Sequence, residues 1–207
     1  IEHGRAYMAA WPIVEFNGHT TLENAEEEQV QFPWNWCMIH SRLRIWSSVI
    51  QQLRSAPEVT DEEILAIIKR MIEETRFLFW YMPFHVSYKS NAGGTMLLSM
   101  AYISAVLSDF REAVTWRDQS VVLFERYLDN AFYPDGVFKE LTIGYGVEVA
   151  LTMQELAAAF RDFAGIDIVK PRLAQIITAI TGLSRPDRTL PPLGDSWATQ
   201  IASGVIP

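Results

Sequence analysis

The chain has one cysteine, Cys37, in 207 residues, so no intrachain disulfide framework holds it together. Between Trp36 and Met38 that thiol reads as a buried core group. Positive charge is scarce. Lys and Arg number 17 against 25 Asp and Glu, a net charge of −8, which argues against nucleic acid or an anionic membrane as a partner. The four His are scattered, and no Cys or His cluster has metal-ligand spacing, which argues against a structural zinc. No apolar run reaches the length of a membrane span, and no stretch alternates apolar and polar residues as a half-buried strand does. No leader peptide is visible. Ile1 is not a natural start, so the chain reads as processed, truncated or a fragment.

What is present suffices for a core. Apolar residues make up 49% and charged residues 20%, which excludes disorder over the whole length. The size fits one domain or a piece of a larger one. Aromatics reach 12%, with seven Trp. Indoles serve either core packing or the stacking of sugar rings, and composition does not separate the two. Four of the acids crowd into Glu23, Glu26, Glu27 and Glu28, a solvated run, so the mean charge does not set the charge of a local cleft.

Residues 1–33 read as an irregular strap or linker, and 34–207 as helical. A first helix is predicted over 34–54, with Ile39, Leu43, Trp46, Ile50 and Leu53 at helical spacing; Ser55-Ala56-Pro57 stops it. A second spans 61–82. Thr60 and Glu63 make a capping box, Ile64, Ile68, Met71, Thr75 and Leu78 form its stripe, and Pro83 ends it. A third starts after the loop Ser90-Asn91-Ala92-Gly93-Gly94, with Met96, Met100, Ile103 and Leu107 inward. The fourth spans 112–131, with Val114, Val121, Phe124 and Leu128. Tyr133-Pro134-Asp135-Gly136 is a turn by composition. The fifth spans 147–163, with Val149, Met153, Leu156, Phe160 and Phe163, and Gly165 beyond it suits a left-handed cap. The sixth spans 170–183, with Pro171 in its first turn, Leu173, Ile177, Ile180 and Leu183 inward, and Gly182 a candidate stop. A Pro-rich tail follows, through Arg185-Pro186-Asp187-Arg188 to Leu193-Gly194-Asp195-Ser196-Trp197. The class is all-α, built of antiparallel helix hairpins, and their rhythm suggests a solenoid or toroid.

Chemistry concentrates between Ser90 and Gly146. Asn91 reads either as a helix cap or as a neutral donor aimed at an anion. Gly93 and Gly94 would let backbone N–H groups approach too, but the Lys-Ser/Thr of a phosphate loop is missing. Tyr145, between Gly144 and Gly146, reads either as a packed turn residue or as a phenol that moves a proton; as a base it needs a nearby positive charge. Glu140 pairs on paper with Asp135 or Asp195 as carboxylates for glycoside hydrolysis, or serves as a loop acceptor. Asp135 also fits a simple turn, and Asp195 is a ligand or a turn residue. His40 and His85 fit structural roles as well as substrate binding. Arg42 and Arg44 either steer a sugar acid or are solvated, and Trp46 is both a stripe residue and a candidate sugar platform.

The order and spacing of these segments resemble the helical domain of the heparinase II/III-like polysaccharide lyases, a group related to the alginate lyases. That family runs from an Asn loop through two helices to Leu-Pro-Asp-Gly and then Glu-x-Ser/Thr-Pro-Gly-Tyr-His. Here the matching positions read Asn91, then Leu107-Ser108-Asp109-Phe110-Arg111-Glu112-Ala113, then Tyr133-Pro134-Asp135-Gly136, then Glu140-Leu141-Thr142-Ile143-Gly144-Tyr145-Gly146. Ser55 to Glu62, Arg185-Pro186-Asp187 and Leu193-Gly194-Asp195-Ser196 extend the likeness, which spans about residues 31–197. Ala92 and Gly146 stand where the family often carries polar residues.

The resemblance implies part of an incomplete (α/α) toroid. A β-sandwich domain outside this chain would follow it and hold any structural metal; no cofactor is expected in the chain itself. It further implies β-elimination on an acidic, uronate-containing glycan, in the periplasm or outside the cell. By that likeness Asn91 neutralises the uronate carboxylate, and Tyr145 donates the proton to the leaving oxygen and is a candidate for the base. Glu140, Arg44, Trp46, His40, His85 and Asp195 are the expected substrate-binding residues. Two other readings stand beside it: a glycan-binding or scaffold helical module without catalysis, and an (α/α) glycoside hydrolase.

Overall fold

The computed structural model describes residues 2, 5, 36–88, 90–165, 171–194 and 196. The expectations for Asp195, for Trp197 and for most of 1–33 lie outside them, as do those for the side chains of Cys37 and Phe163. The described part is all-helical: α1 (Trp36–Arg54), α2 (Asp61–Tyr88), α3 (Asn91–Val106), α4 (Ala113–Ala131), α5 (Ile143–Ala164) and α6 (Pro171–Leu183). Extended backbone pairs at an isolated bridge, Phe132 to Phe138, and Thr189 also sits in a bridge.

The helices form two layers. α1 packs on α3 and α3 on α5; behind them α2 packs on α4, and α4 touches α6. The odd helices run in the same direction. The Asn91 amide at the start of α3 meets Glu140, just ahead of α5, and further along the Tyr102 hydroxyl reaches Glu155. Likewise the Ser99 hydroxyl donates to the His40 carbonyl of α1. α3 is the centre, with eleven residues from Ala92 to Ser104 buried, as befits a helix apolar nearly all round.

Most predicted stripes face inward. Ile39, Leu43, Ile50, Ile64, Met71, Leu78, Met96, Met100, Ile103, Phe124, Leu128, Val149, Met153, Leu156 and Phe160 are buried. Two positions do not follow. Val114 is 50% exposed, and α4 instead buries Trp116, Leu123, Phe124 and Tyr127. On α6 the buried pair is Ile176 and Ile180, while Leu183 is exposed. Gly165 has φ 64 and donates its N–H to the Arg161 carbonyl, the expected left-handed cap. α6 runs past Gly182 to Leu183.

Three boundaries differ from the prediction. α2 continues through Pro83 to Tyr88. A proline there withdraws one backbone donor, but Tyr81, Met82 and Val86 are buried on either side, and the Ser87 hydroxyl satisfies the Pro83 carbonyl. α3 begins at Asn91, so Gly93 and Gly94 are helical rather than a loop. A Cβ on Gly93 would sit 2.9 Å from the Tyr127 ring and 3.2 Å from the His85 carbonyl oxygen, and one on Gly94 would sit 3.0 Å from Met153. α5 begins at Ile143, which puts Gly144-Tyr145-Gly146 in its first turn.

Arg42 is neither solvated nor available to a sugar acid. Its guanidinium lies 2.8 Å from Glu74 of α2, with Arg70 at 3.7 Å on the same carboxylate, all three buried. Burial pushes the Glu74 carboxyl up, and the two guanidiniums oppose that shift.

Candidate functional site

α3 and α5 are neighbours whose first turns lie at the same end of the layer. Each first turn carries one of the two leading sequence candidates, Asn91 and Tyr145. A helix start leaves backbone N–H groups without intrahelical partners, and neither helix meets that need with its own cap residue. Ser90 precedes α3 and Thr142 precedes α5; neither side chain makes a capping bond, and the buried Thr142 hydroxyl has no hydrogen-bond partner among the described residues. The partners come from far along the chain. The Asn91 N–H donates to Glu140 Oε1 at 3.0 Å, and the Gly144 N–H donates to Ser196 Oγ at 2.9 Å.

Around Asn91 the contacts converge. The Tyr127 hydroxyl of α4 donates to the Ser90 carbonyl at 2.6 Å. His85 Nδ1 lies 3.1 Å from the Ser90 hydroxyl. Burial raises the Tyr127 phenol above the usual range, and the charge of Glu140 adds to the rise, so phenol and carboxylate act on one another. Burial also raises the Glu140 carboxyl, against the stabilising Asn91 N–H. Burial holds His85 down at about 4, so its imidazole is neutral near pH 7. Asn91, Glu140, Ser90, Tyr127 and His85 therefore make one polar cluster where α2 ends and α3 begins.

Tyr145 is half-buried and packs against the core. The glycines on either side of it are both buried. They let neighbours approach: a Cβ on Gly146 would lie 3.1 Å from Phe138 Cβ, and one on Gly144 would lie 3.3 Å from Ser196 Oγ. Asp135 is committed to its own turn, accepting the Val137 N–H at 3.0 Å. Arg172 of α6 fixes the same turn through the carbonyls of Phe132, Tyr133 and Pro134.

Other expected binding residues stand apart. Arg44 lies 3.6 Å from Glu155, which also accepts the Tyr102 hydroxyl at 2.5 Å. All three line a groove of about 920 Å³ with Ser48, Arg54 and Asp109, further along the α1, α3 and α5 layer. Trp46 is half-buried against the core. His40 is half-buried on α1, and burial, aided by the Arg44 charge, lowers it to about 4. Among the described residues no group of three or more His, Cys, Asp or Glu could hold a metal ion, and no helix is long and apolar enough to cross a membrane.

Sequence reasoning overlooked Tyr127, Ser196 and the Tyr102–Glu155 pair. Tyr127 left a faint trace, falling three positions after Phe124 on the inward side of α4. Ser196 left none, because its partner lies 52 positions earlier.

Comparison with known proteins bears on this arrangement. The family described as heparinase II/III N-terminus matches residues 3–205. Two solved structures of a heparinase III gene product, one with methylated lysines, superpose with a TM-score of 0.66 at 20% identity, over 96% of this chain. The chain spans about a third of their length, 33% and 32%. No curated protein matches.

Proposed function

Because the chain belongs to the heparinase II/III N-terminus family, we propose that it is one sector of the (α/α) toroid of a polysaccharide lyase acting on a uronate-containing glycan. A β-sandwich domain of the same protein would close the cleft. In this reading the Asn91 amide binds the uronate carboxylate and stabilises the charge that develops as C5 loses its proton. The C4=C5 double bond forms as the C4–O bond breaks, and the leaving oxygen takes a proton from the Tyr145 phenol. In a syn elimination one oxygen serves both steps: the phenolate takes the C5 proton and delivers it to the leaving group.

The observation that supports this best is the bond from the Asn91 backbone N–H to Glu140, which ties the backbone that carries this amide to the segment leading into the helix of Tyr145. The test is an ultraviolet assay for unsaturated uronate, run with the full-length protein on a panel of uronate polymers. Wild type should release the chromophore, and Asn91→Ala and Tyr145→Phe should each lose on the order of 10²- to 10³-fold in kcat. A folded wild-type protein that releases none from any polymer ends the reading.

The packing at Gly146 favours a second reading, a glycan-binding module without turnover. A Cβ there would lie 3.1 Å from Phe138 Cβ, so the polar residue the family often carries would crowd the first turn of α5 and require Phe138 to shift by a few tenths of an ångström. Binding of acidic oligosaccharide with no product, unaffected by Tyr145→Phe, selects this alternative.

A further inference from the structure

The Ser90 carbonyl and the Asn91 N–H belong to the same peptide unit. That unit is planar and trans, so the two groups point in opposite directions. Each is held by a side chain from a different part of the chain. The Tyr127 hydroxyl of α4 donates to the carbonyl at 2.6 Å, and the Glu140 carboxylate, ahead of α5, accepts from the N–H at 3.0 Å. Fixing a peptide plane from both sides fixes the N–Cα bond of the next residue, and the helical φ of that residue then sets the direction of its Cβ. That next residue is Asn91.

The segment that delivers Glu140 is itself over-determined. The Lys139 N–H donates to the Ala131 carbonyl at the end of α4. Leu141, the next residue after Glu140, has φ 58, a left-handed conformation that a bulky non-glycine residue adopts only when its surroundings impose it. Gly194 of the tail lies close against this residue, since a Cβ there would lie 2.9 Å from the Leu141 carbonyl oxygen. Leu141 is also 61% exposed, so burial of its own side chain does not explain the strain.

We propose that Glu140 and Tyr127 form a two-sided clamp on the Ser90–Asn91 peptide and are positioning residues for the Asn91 amide. Neither touches substrate in this account. Glu140, expected from the sequence to bind substrate, acts through Asn91 instead. The kinetic part rests on the lyase reading. The clamp itself does not, because the Asn91 N–H at the start of α3 lacks an intrahelical acceptor, and its exchange with solvent reports on Glu140 directly.

The experiment compares Glu140→Ala, Glu140→Gln and Tyr127→Phe in the full-length protein, by steady-state kinetics on the uronate polymer that wild type cleaves and by hydrogen exchange of the peptide containing Asn91. Glu140→Ala should lower kcat by about 10- to 100-fold, leave KM nearly unchanged and speed exchange at Asn91. Glu140→Gln keeps an oxygen acceptor, so it should restore both. Tyr127→Phe should lower kcat less, because the Ser90 carbonyl also accepts the Gly93 N–H at 3.0 Å. The clamp is overturned if Glu140→Ala leaves kcat and exchange as in wild type, or if Glu140→Gln is as impaired as Glu140→Ala. If wild type cleaves no polymer, the lyase reading fails and exchange alone decides: fast in Ala and slow in Gln upholds the clamp, and equal rates overturn it. If Glu140→Ala does not fold, Gln and Tyr127→Phe against wild type give the same decision.

Discussion

The helices α2 and α3 begin in opposite ways. At α2 the capping groups themselves lie within four residues, with Arg5 pairing to the Glu63 carboxylate from outside. The Thr60 N–H donates to Glu63 Oε2 at 2.9 Å, and the Glu63 N–H donates to Thr60 Oγ1 at 3.2 Å; Asp61, Glu62 and Glu63 fill the first turn, where the helix dipole favours negative charge. At α3 the adjacent Ser90 makes no side-chain cap, and the first N–H waits for a carboxylate 49 positions later. A local cap forms as soon as the helix does. A distant cap forms only when α3 and the segment ahead of α5 have come together, so it reports tertiary structure. It also leaves the start of the helix answerable to groups on another element, an arrangement suited to a site and superfluous in a scaffold.

The largest expected effect tests whether both kinds of helix start depend on the same frame. Glu74 of α2 pairs with Arg42 of α1 and with Arg70 on its own helix, away from either start. Glu74→Ala leaves buried guanidiniums without their counter-charge and should cost about 3–5 kcal/mol. Urea unfolding followed by both tryptophan fluorescence and circular dichroism should show one lowered midpoint. If the two signals separate, with helix content outlasting tertiary packing, the layers are not one cooperative unit and the contrast between local and distant caps loses its basis.

The same contrast explains what the sequence could tell. The α2 start was legible because Thr60 and Glu63 are their own explanation. The C-terminal ends of α1 and α6 and the cap at Gly165 were legible on the same local grounds. The start of α3 was not, because Gly93 and Gly94 read locally as a loop, whereas their small size serves Tyr127, His85 and Met153 from other helices. Pro83 misled for the same reason: the burial of Tyr81, Met82 and Val86 outweighs the lost donor. In the candidate site, Asn91, Glu140 and His85 were picked out by residue type and meet in one cluster. Their geometry came as a surprise, since Glu140 bonds the backbone of Asn91, and Tyr127 and Ser196 enter from segments with no sequence proximity.

A smaller effect sharpens the comparison directly. Thr60→Ala removes a local cap and should lower global stability by about 1 kcal/mol, the usual worth of such a residue. Ser196→Ala removes the distant acceptor of the Gly144 N–H. Gly144 is buried, so losing that acceptor should lower stability by about 1–3 kcal/mol and speed hydrogen exchange in the first turn of α5. If Ser196→Ala leaves the midpoint and that exchange as in wild type, the Gly144 N–H does not depend on its distant acceptor, and the distinction between scaffold starts and site starts falls.

The smallest effect is a pH dependence. Burial holds His40 and His85 at about 4, against 6.5 for an unstrained imidazole. Between those values the unfolded chain binds protons that the folded chain refuses, so stability is full above pH 6.5 and declines as the pH falls toward 4. Both imidazoles are partly exposed, and solvent screening reduces the loss to on the order of 1 kcal/mol each. Glu74 and Glu140, whose carboxyls are raised by burial, work the other way once they begin to protonate, so the decline should be clearest in the upper part of the window. His85 borders the distantly capped start and His40 lies midway along the layer. His85→Gln should therefore flatten the decline together with the acid-induced exchange at Asn91, whereas His40→Gln should flatten the decline alone. Identical exchange profiles for the two variants would mean that protonation loosens the layer as a whole, with no special weakness where α3 begins.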